Sequence, residues 1–171
     1  QTMSRKNYDL RTLPQAKKDE IEGYIKTLLD SEVGYDLVAA SEGQLNALLA
    51  GKTYRLLYST EKMSMLAGLP PFTKITLAMD GQGAMDYELS FADNWMKNIK
   101  TECRYKLNRS SVTNQPILQF AYEKPSVKLF NFEVPLPFMK DKTNFVLMAW
   151  FDGSVWIEEG WEGGERGSGD R

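Results

Sequence analysis

AGKTYRLLYST, residues 50–60, divides this chain into two kinds of pattern. Before it, apolar residues recur at helical spacing, and after it they alternate at strand spacing for about a hundred residues. Within it, Tyr54, Leu56 and Tyr58 fall on one face of an extended segment, because side chains alternate across a strand. The stretch therefore predicts the first strand of a sheet.

Composition limits the chain to one globular domain and removes several kinds of chemistry. Its 171 residues, 42% of them hydrophobic, can close a core without metals or disulfides. A net charge of −2 argues against nucleic-acid binding, which normally needs a basic excess. The sequence has no histidine and one cysteine, Cys103, which excludes imidazole catalysis and an internal disulfide. We predict no catalytic residue and no metal site.

Two helices are predicted ahead of the first strand. Residues 1–13 are polar and basic and predict an extended arm. A helix from Pro14 carries an apolar stripe that we expect to be buried. A second helix begins at Ser41, which can form a capping box with Gln44, and ends at Gly51. The stripe of the first helix consists of Ile21, Tyr24, Ile25, Leu28 and Leu29.

The remaining pattern predicts some eight antiparallel strands in a closed or nearly closed up-and-down barrel, with two packed sheets as the alternative. Turn chemistry separates the strands at residues 80–83 and 152–153. We divide the chain into helices over 14–50, a barrel over 51–160 and a Gly-rich tail over 161–171. After the first strand, the strands are expected at 73–79, 85–91, 99–107, 117–123, 127–134, 144–151 and 154–158.

The side chains predicted to face the barrel interior are rich in Tyr and Met. A small barrel either fills its interior or holds one small ligand. Such a lining suits an elongated apolar molecule that tyrosine hydroxyls orient, but a plain aromatic core produces the same alternation, so both readings stay open. The predicted lining is Tyr54, Tyr58, Met79, Met85, Tyr87, Phe91 and Tyr105.

Two apolar loops, 63–72 and 134–142, predict contact with a membrane or a protein. The alternative is that one or both fold over an end of the barrel, which suits 63–72 better than 136–139. The tail cannot order itself by burial, so we expect a partner protein to hold both the tail and the N-terminal arm, with crystal packing as the alternative. The predicted contact residues are Leu136, Phe138, Met139, Lys140 and Lys142, with Trp161 in the tail.

Two segments resemble the plastid lipid-associated protein, or fibrillin, family. LLAGKTYRLLYST (48–60) is similar to the opening strand of the family, and WFDGSVWIEEG (150–160) to its closing hairpin. The order of the parts agrees over roughly residues 15–160. Tyr54 stands where the family usually has Trp. Trp156 and Glu159 stand where it typically has Arg, so the resemblance gives no support for an anion contact there.

The resemblance implies a lipocalin-like barrel in a plastid, linked to carotenoids, quinones or other lipids. We expect a non-enzymatic protein at the thylakoid surface, an accessory subunit of a photosynthetic membrane complex that binds such a molecule. The chain begins at Gln1, so we expect any targeting peptide to lie outside this sequence.

Two alternatives are kept. The first is a free-standing lipid or pigment carrier of plastoglobules. The second is a bilin lyase-like chaperone enzyme, which needs a general acid or a charged cavity. Besides tyrosine hydroxyls, the inward faces from 73 to 107 offer only Thr73, Thr101 and Cys103 for that purpose.

Overall fold

The computed structural model describes residues 14–58, 72–91 and 95–160. These ranges contain helices α1 (Gln15–Leu29) and α2 (Glu42–Leu49) and a short 3-10 helix (Pro137–Met139). Within them, neither α-helix has the length and hydropathy that crossing a membrane requires. The strands are β1 (Lys52–Arg55), β2 (Phe72–Met79), β3 (Ala84–Phe91), β4 (Met96–Arg109), β5 (Pro116–Tyr122), β6 (Ser126–Leu129), β7 (Phe132–Pro135), β8 (Thr143–Phe151) and β9 (Trp156–Gly160).

All of these strands pair antiparallel in one sheet that curls into a half-barrel. The main path is β1-β2-β3-β4-β5-β8-β9. The long strand β4 pairs with β6 along its first half and with β5 along its second half, and β7 pairs with β6. The mainly antiparallel β class is therefore confirmed. The closed, lipocalin-like barrel stays a prediction.

Two predicted strands differ most from the observed ones. β1 ends at Arg55, and Tyr58 lies beyond it, donating its hydroxyl hydrogen bond to Glu22 of α1 at 2.6 Å. The single strand predicted at 127–134 is wrong, because β6 and β7 form a hairpin there. Phe130, with φ of 50°, takes the left-handed conformation that the reversal requires. No glycine or proline marks this turn.

Helix α1 is less buried than its apolar stripe predicts. The stripe residues Ile21, Ile25 and Leu28 are half-buried, whereas Tyr24 and Leu29 are exposed. No residue of α1 is buried, so the prediction of a buried stripe is wrong. The stripe has the period of a helix, but in the described residues the contact between α1 and the sheet is small and is made mainly with β8.

Helix α2 covers one end of the curled sheet. Its predicted capping box is present, with Ser41 and Gln44 each bonding the backbone N–H of the other. Leu45 and Leu49 are fully buried in the main core. The Tyr105 hydroxyl of β4 donates to Asn46 Oδ1 at 3.1 Å and ties the helix to the sheet.

The Arg109 guanidinium fixes the segment that leads into α2. It donates to the carbonyls of Leu37 at 2.7 Å, Val38 at 3.3 Å and Asn114 at 2.8 Å, and also to the carbonyl of Ala40. Backbone carbonyls without intrahelical partners need such donors. One side chain at the end of β4 therefore holds the segment before α2 against the sheet.

Candidate ligand-binding face

The inner side of the curled sheet, here called the concave face, carries a lattice of aromatic and small polar side chains. Residues opposite each other in an antiparallel pair point to the same face, so the strand register defines its rows. The first row is Tyr54, Leu77, Tyr87 and Thr101, the second is Lys52, Met79, Met85, Cys103 and Tyr122, and the third is Tyr105, Phe120 and Asn144.

The predicted lining residues occupy three environments. Met79, Met85 and Tyr105 are buried in the main core beneath α2. Phe91 is buried in a second cluster with Ile75 and Leu89, towards the other end of the concave face. The half-buried Tyr54 packs on the main core, and the half-buried Tyr87 on both clusters. Tyr58, bonded to Glu22, is separate from this group.

Four further residues of the concave face are absent from the predicted lining. The Tyr122 ring lies 6.2 Å from Tyr87, and Asn144 stands opposite Phe120 in the third row. The Trp156 ring meets Tyr54 edge to face at 5.4 Å, and Glu158 acts electrostatically on Tyr87. The alternation of strands β5, β8 and β9 could have identified all four. Trp156 on β9 and Tyr54 on β1 join the two ends of the curled sheet.

Three polar atoms on this face are buried without a hydrogen-bond partner in the described part of the chain: Tyr54 Oη, Asn144 Nδ2 and Trp156 Nε1. A buried polar group without a partner is costly, so each such atom needs an explanation. Two similar atoms, on Asn98 and Trp150, belong to other surfaces. Within the ranges that the structure describes, the concave face alone has several unpaired atoms among aromatic rings.

The tyrosines of this face hold their protons strongly. Burial raises the pKa of Tyr54 to about 12. Burial is the main reason that the pKa of Tyr87 is raised, with Tyr122 and Glu158 adding to it. The pKa of Tyr122 is also raised by burial, and a poorly aligned hydrogen bond from the Asn144 side chain opposes this rise. Asn144 Nδ2 nevertheless makes no hydrogen bond of ordinary geometry, so it can still donate. At neutral pH these tyrosines are therefore neutral and can donate.

Cys103 is buried at the centre of the face, and burial raises the pKa of its thiol to about 12. Because the thiolate is the nucleophile, this position disfavours covalent chemistry. We expect iodoacetamide at pH 8 to alkylate the folded protein at least about a hundredfold more slowly than the urea-unfolded chain. Mass spectrometry after timed quenching measures both rates, and equal rates would contradict the burial.

The buried Cys103 and Tyr54 make the free energy of unfolding depend on pH in the alkaline range. The unperturbed pKa is 9.0 for Cys103 and 10.0 for Tyr54, and folding raises both to about 12. The folded state therefore retains protons that the unfolded chain loses. We expect the free energy of unfolding to be unaffected by these groups below pH 9 and to fall as pH rises towards 12. Urea titrations across this range measure the decline.

The described residues predicted to contact a membrane or partner lie in the connection between β7 and β8. Phe138, Lys140 and Lys142 are exposed, and Leu136 and Met139 are half-buried. Trp161 and nearly all of the loop 63–72 lie outside the described residues.

The described residues contain no group of three or more side chains that could hold a metal ion. Comparison with protein-family models, with curated proteins and with solved structures finds no match to this chain. The fold and the concave face therefore describe this protein only by its geometry: it is a curled antiparallel sheet whose inner wall carries aromatic rings and hydrogen-bond donors.

Proposed function

We propose that this chain is a non-enzymatic binding module whose concave face takes one apolar molecule that carries acceptor oxygens. The observation that supports this most directly is the set of three buried polar atoms without partners, on Tyr54, Asn144 and Trp156. Ligand sites commonly combine an apolar wall with a few polar groups that fix orientation.

The chemistry of the three atoms narrows the ligand class. An indole N–H and an amide NH₂ can only donate, and a tyrosine hydroxyl can donate as well as accept. The Trp156 and Asn144 side chains can therefore be paired by a ligand that carries acceptor oxygens, such as the carbonyls of a quinone, an oxygenated carotenoid or a lipid ester. A pure hydrocarbon would leave these donors buried and unpaired, which costs binding energy.

The proposed setting rests on the sequence resemblance. It is a plastid, at the thylakoid surface, with the chain as an accessory subunit of a photosynthetic membrane complex. Co-purification from solubilised thylakoids tests this setting, and recovery of the free monomer alone would count against it. Ligand binding is tested separately, with the purified protein.

The ligand prediction compares two tryptophans that both carry a buried, unpaired Nε1. Trp156 lies on the concave face, whereas the Trp150 indole packs against Gly34 on the other side of the sheet. We expect an alkyl benzoquinone to bind saturably at one site. Trp156→Phe should raise its Kd about three- to tenfold, the value of one hydrogen bond. Equilibrium dialysis measures this without relying on tryptophan fluorescence.

The matched variant Trp150→Phe should leave the Kd unchanged, because its donor does not reach the concave face. β-Carotene, which has no oxygen, should bind equally to the protein with and without Trp156→Phe. Absence of saturable quinone binding, or an equal loss in both tryptophan variants, would refute the proposed site.

A further inference from the structure

The β6–β7 hairpin presents large apolar side chains to solvent. Phe130 at its turn is 60% exposed and Phe132 is 74% exposed, while Phe138 just after the hairpin is 69% exposed. Phenylalanine is normally among the residues most often buried, so three such rings on one segment of a small protein need an explanation. Only Phe138 was expected from the sequence to make an external contact.

The hairpin continues the concave face. One register row crosses five strands through Ile75, Leu89, Ile99, Val127 and Val134. Its first members are buried, whereas Val134 on the edge strand is 41% exposed. The apolar wall of the candidate ligand face thus runs without interruption onto the open hairpin.

Phe132 follows the same geometry. It stands opposite Leu129, which stands opposite Met96 of β4. Met96 packs against the second core cluster, which contains Leu89 and Phe91. The exposed ring at the hairpin therefore belongs to the same face as the buried apolar cluster.

Lysines surround the hairpin. Lys128 lies on the hairpin itself, and Lys140 and Lys142 follow it, all exposed. Lys97 reaches the turn, where its Nζ donates to Asn131 Oδ1 at 3.3 Å. Glu133 stands opposite Lys128 in the hairpin, and Asp141 lies between Lys140 and Lys142, in a chain whose net charge is −2. Aromatic rings beside lysines suit an anionic lipid surface.

Pairing with a partner strand is disfavoured at this edge. β7 has only four residues, ends in Pro135 and is followed by Pro137, and proline cannot donate to a sheet ladder. A lipid surface needs no such backbone donors.

We propose that the β6–β7 hairpin, with Phe130, Phe132 and Phe138 and the surrounding lysines, docks this protein onto an anionic membrane surface. The hairpin also gives an apolar molecule in the bilayer a continuous path to the concave face. The inference deepens the proposed function, on which the passage of a ligand rests. The docking itself does not depend on a ligand.

The test is sedimentation with vesicles of phosphatidylcholine containing about 30 mol% phosphatidylglycerol, an anionic lipid. The test variant is Phe130→Asn with Phe132→Thr, since Asn tolerates a positive φ and Thr suits a strand. We expect it to reduce partitioning about tenfold or more, because two inserted rings are lost. Wild-type partitioning should also fall several-fold in high salt or with purely neutral vesicles.

The matched control is Val33→Thr with Val112→Thr, which changes two side chains exposed to 74% and 69% elsewhere on the molecule. It should partition like the wild type. Absence of wild-type partitioning, or equal partitioning of both variants, would overturn the inference. So would a dimer that the hairpin variant dissociates in sedimentation velocity without any vesicle binding, since this would make the hairpin a contact between copies.

Quinone dialysis without vesicles separates this inference from the proposed function. The dialysis uses the wild-type protein, because the hairpin variant also changes Phe132 on the concave face. If the protein binds quinone but never vesicles, docking alone is wrong. If it binds vesicles but never quinone, docking stands and the proposed ligand site is wrong.

Discussion

Replacing Phe151 by alanine is expected to lower the free energy of unfolding by about 3–5 kcal/mol, the usual cost of truncating a fully buried aromatic ring. Phe151 has no exposed surface and ends β8 at the main core. Its ring stacks on Tyr35 at 5.7 Å and meets Tyr54 at 6.1 Å, and Lys52 Nζ lies 5.3 Å from its centre. Truncation would therefore remove the contact shared by β1, β8 and the segment after α1.

Urea denaturation measures this loss, with Phe132→Ala as the matched control. Phe132 is also a strand phenylalanine, but 74% of it is exposed, so its truncation should change stability by less than about 0.5 kcal/mol. Phe151→Leu, which retains most of the volume, should fall between the two. A loss below about 1.5 kcal/mol for Phe151→Ala would show that β1 is not held to β8 through this ring.

The sequence predicted those features of the fold that depend on local chemistry. The capping box of Ser41 and Gln44 formed as expected. Asp80 also forms its turn as expected, since its carboxylate accepts from the backbone N–H groups of Gln82 and Ala84. These signals lie within a few residues of each other, so no tertiary information is needed. Strand alternation over 99–107 was equally local and gave β4 its buried face.

The predictions from the sequence were wrong where the local structure depends on contacts between distant parts of the chain. The stripe of α1 has correct helical spacing, but burial depends on what packs against it, which periodicity does not report. The turn at Phe130 uses a residue that tolerates positive φ poorly. Its conformation follows from β6 and β7 pairing beside the first half of β4, which a local turn signal does not encode.

For the same reason, the sequence could predict which residues share the concave face but could not predict their contacts across the sheet. Alternation identified Tyr54 and Tyr87 as facing one side. It did not reveal that Trp156 lies against Tyr54, because β1 and β9 are about a hundred residues apart in the chain and meet only through the curl of the sheet. The unpaired state of Asn144 likewise depends on neighbours from other strands.

Gly81→Ala is expected to destabilise the protein by about 2–4 kcal/mol, because it combines backbone strain with a collision. Gly81 has φ of +75° in the β2–β3 turn. A Cβ there would lie 2.4 Å from the Cβ of Ala50 and 2.9 Å from both the Ala50 Cα and the Asn46 carbonyl oxygen. Most of these atoms are backbone at the end of α2, so the helix that covers the main core would have to move.

Two other glycines separate the strain from the collision. Gly51 has φ of +68° but open space around its Cβ position, so Gly51→Ala should cost only the strain, about 1–2 kcal/mol. Gly43 in α2 has neither strain nor a neighbour, and alanine there should stabilise by about 0.5–1 kcal/mol. Urea denaturation of all three variants gives the difference between Gly81 and Gly51. If the two substitutions cost the same, α2 does not press against the β2–β3 turn.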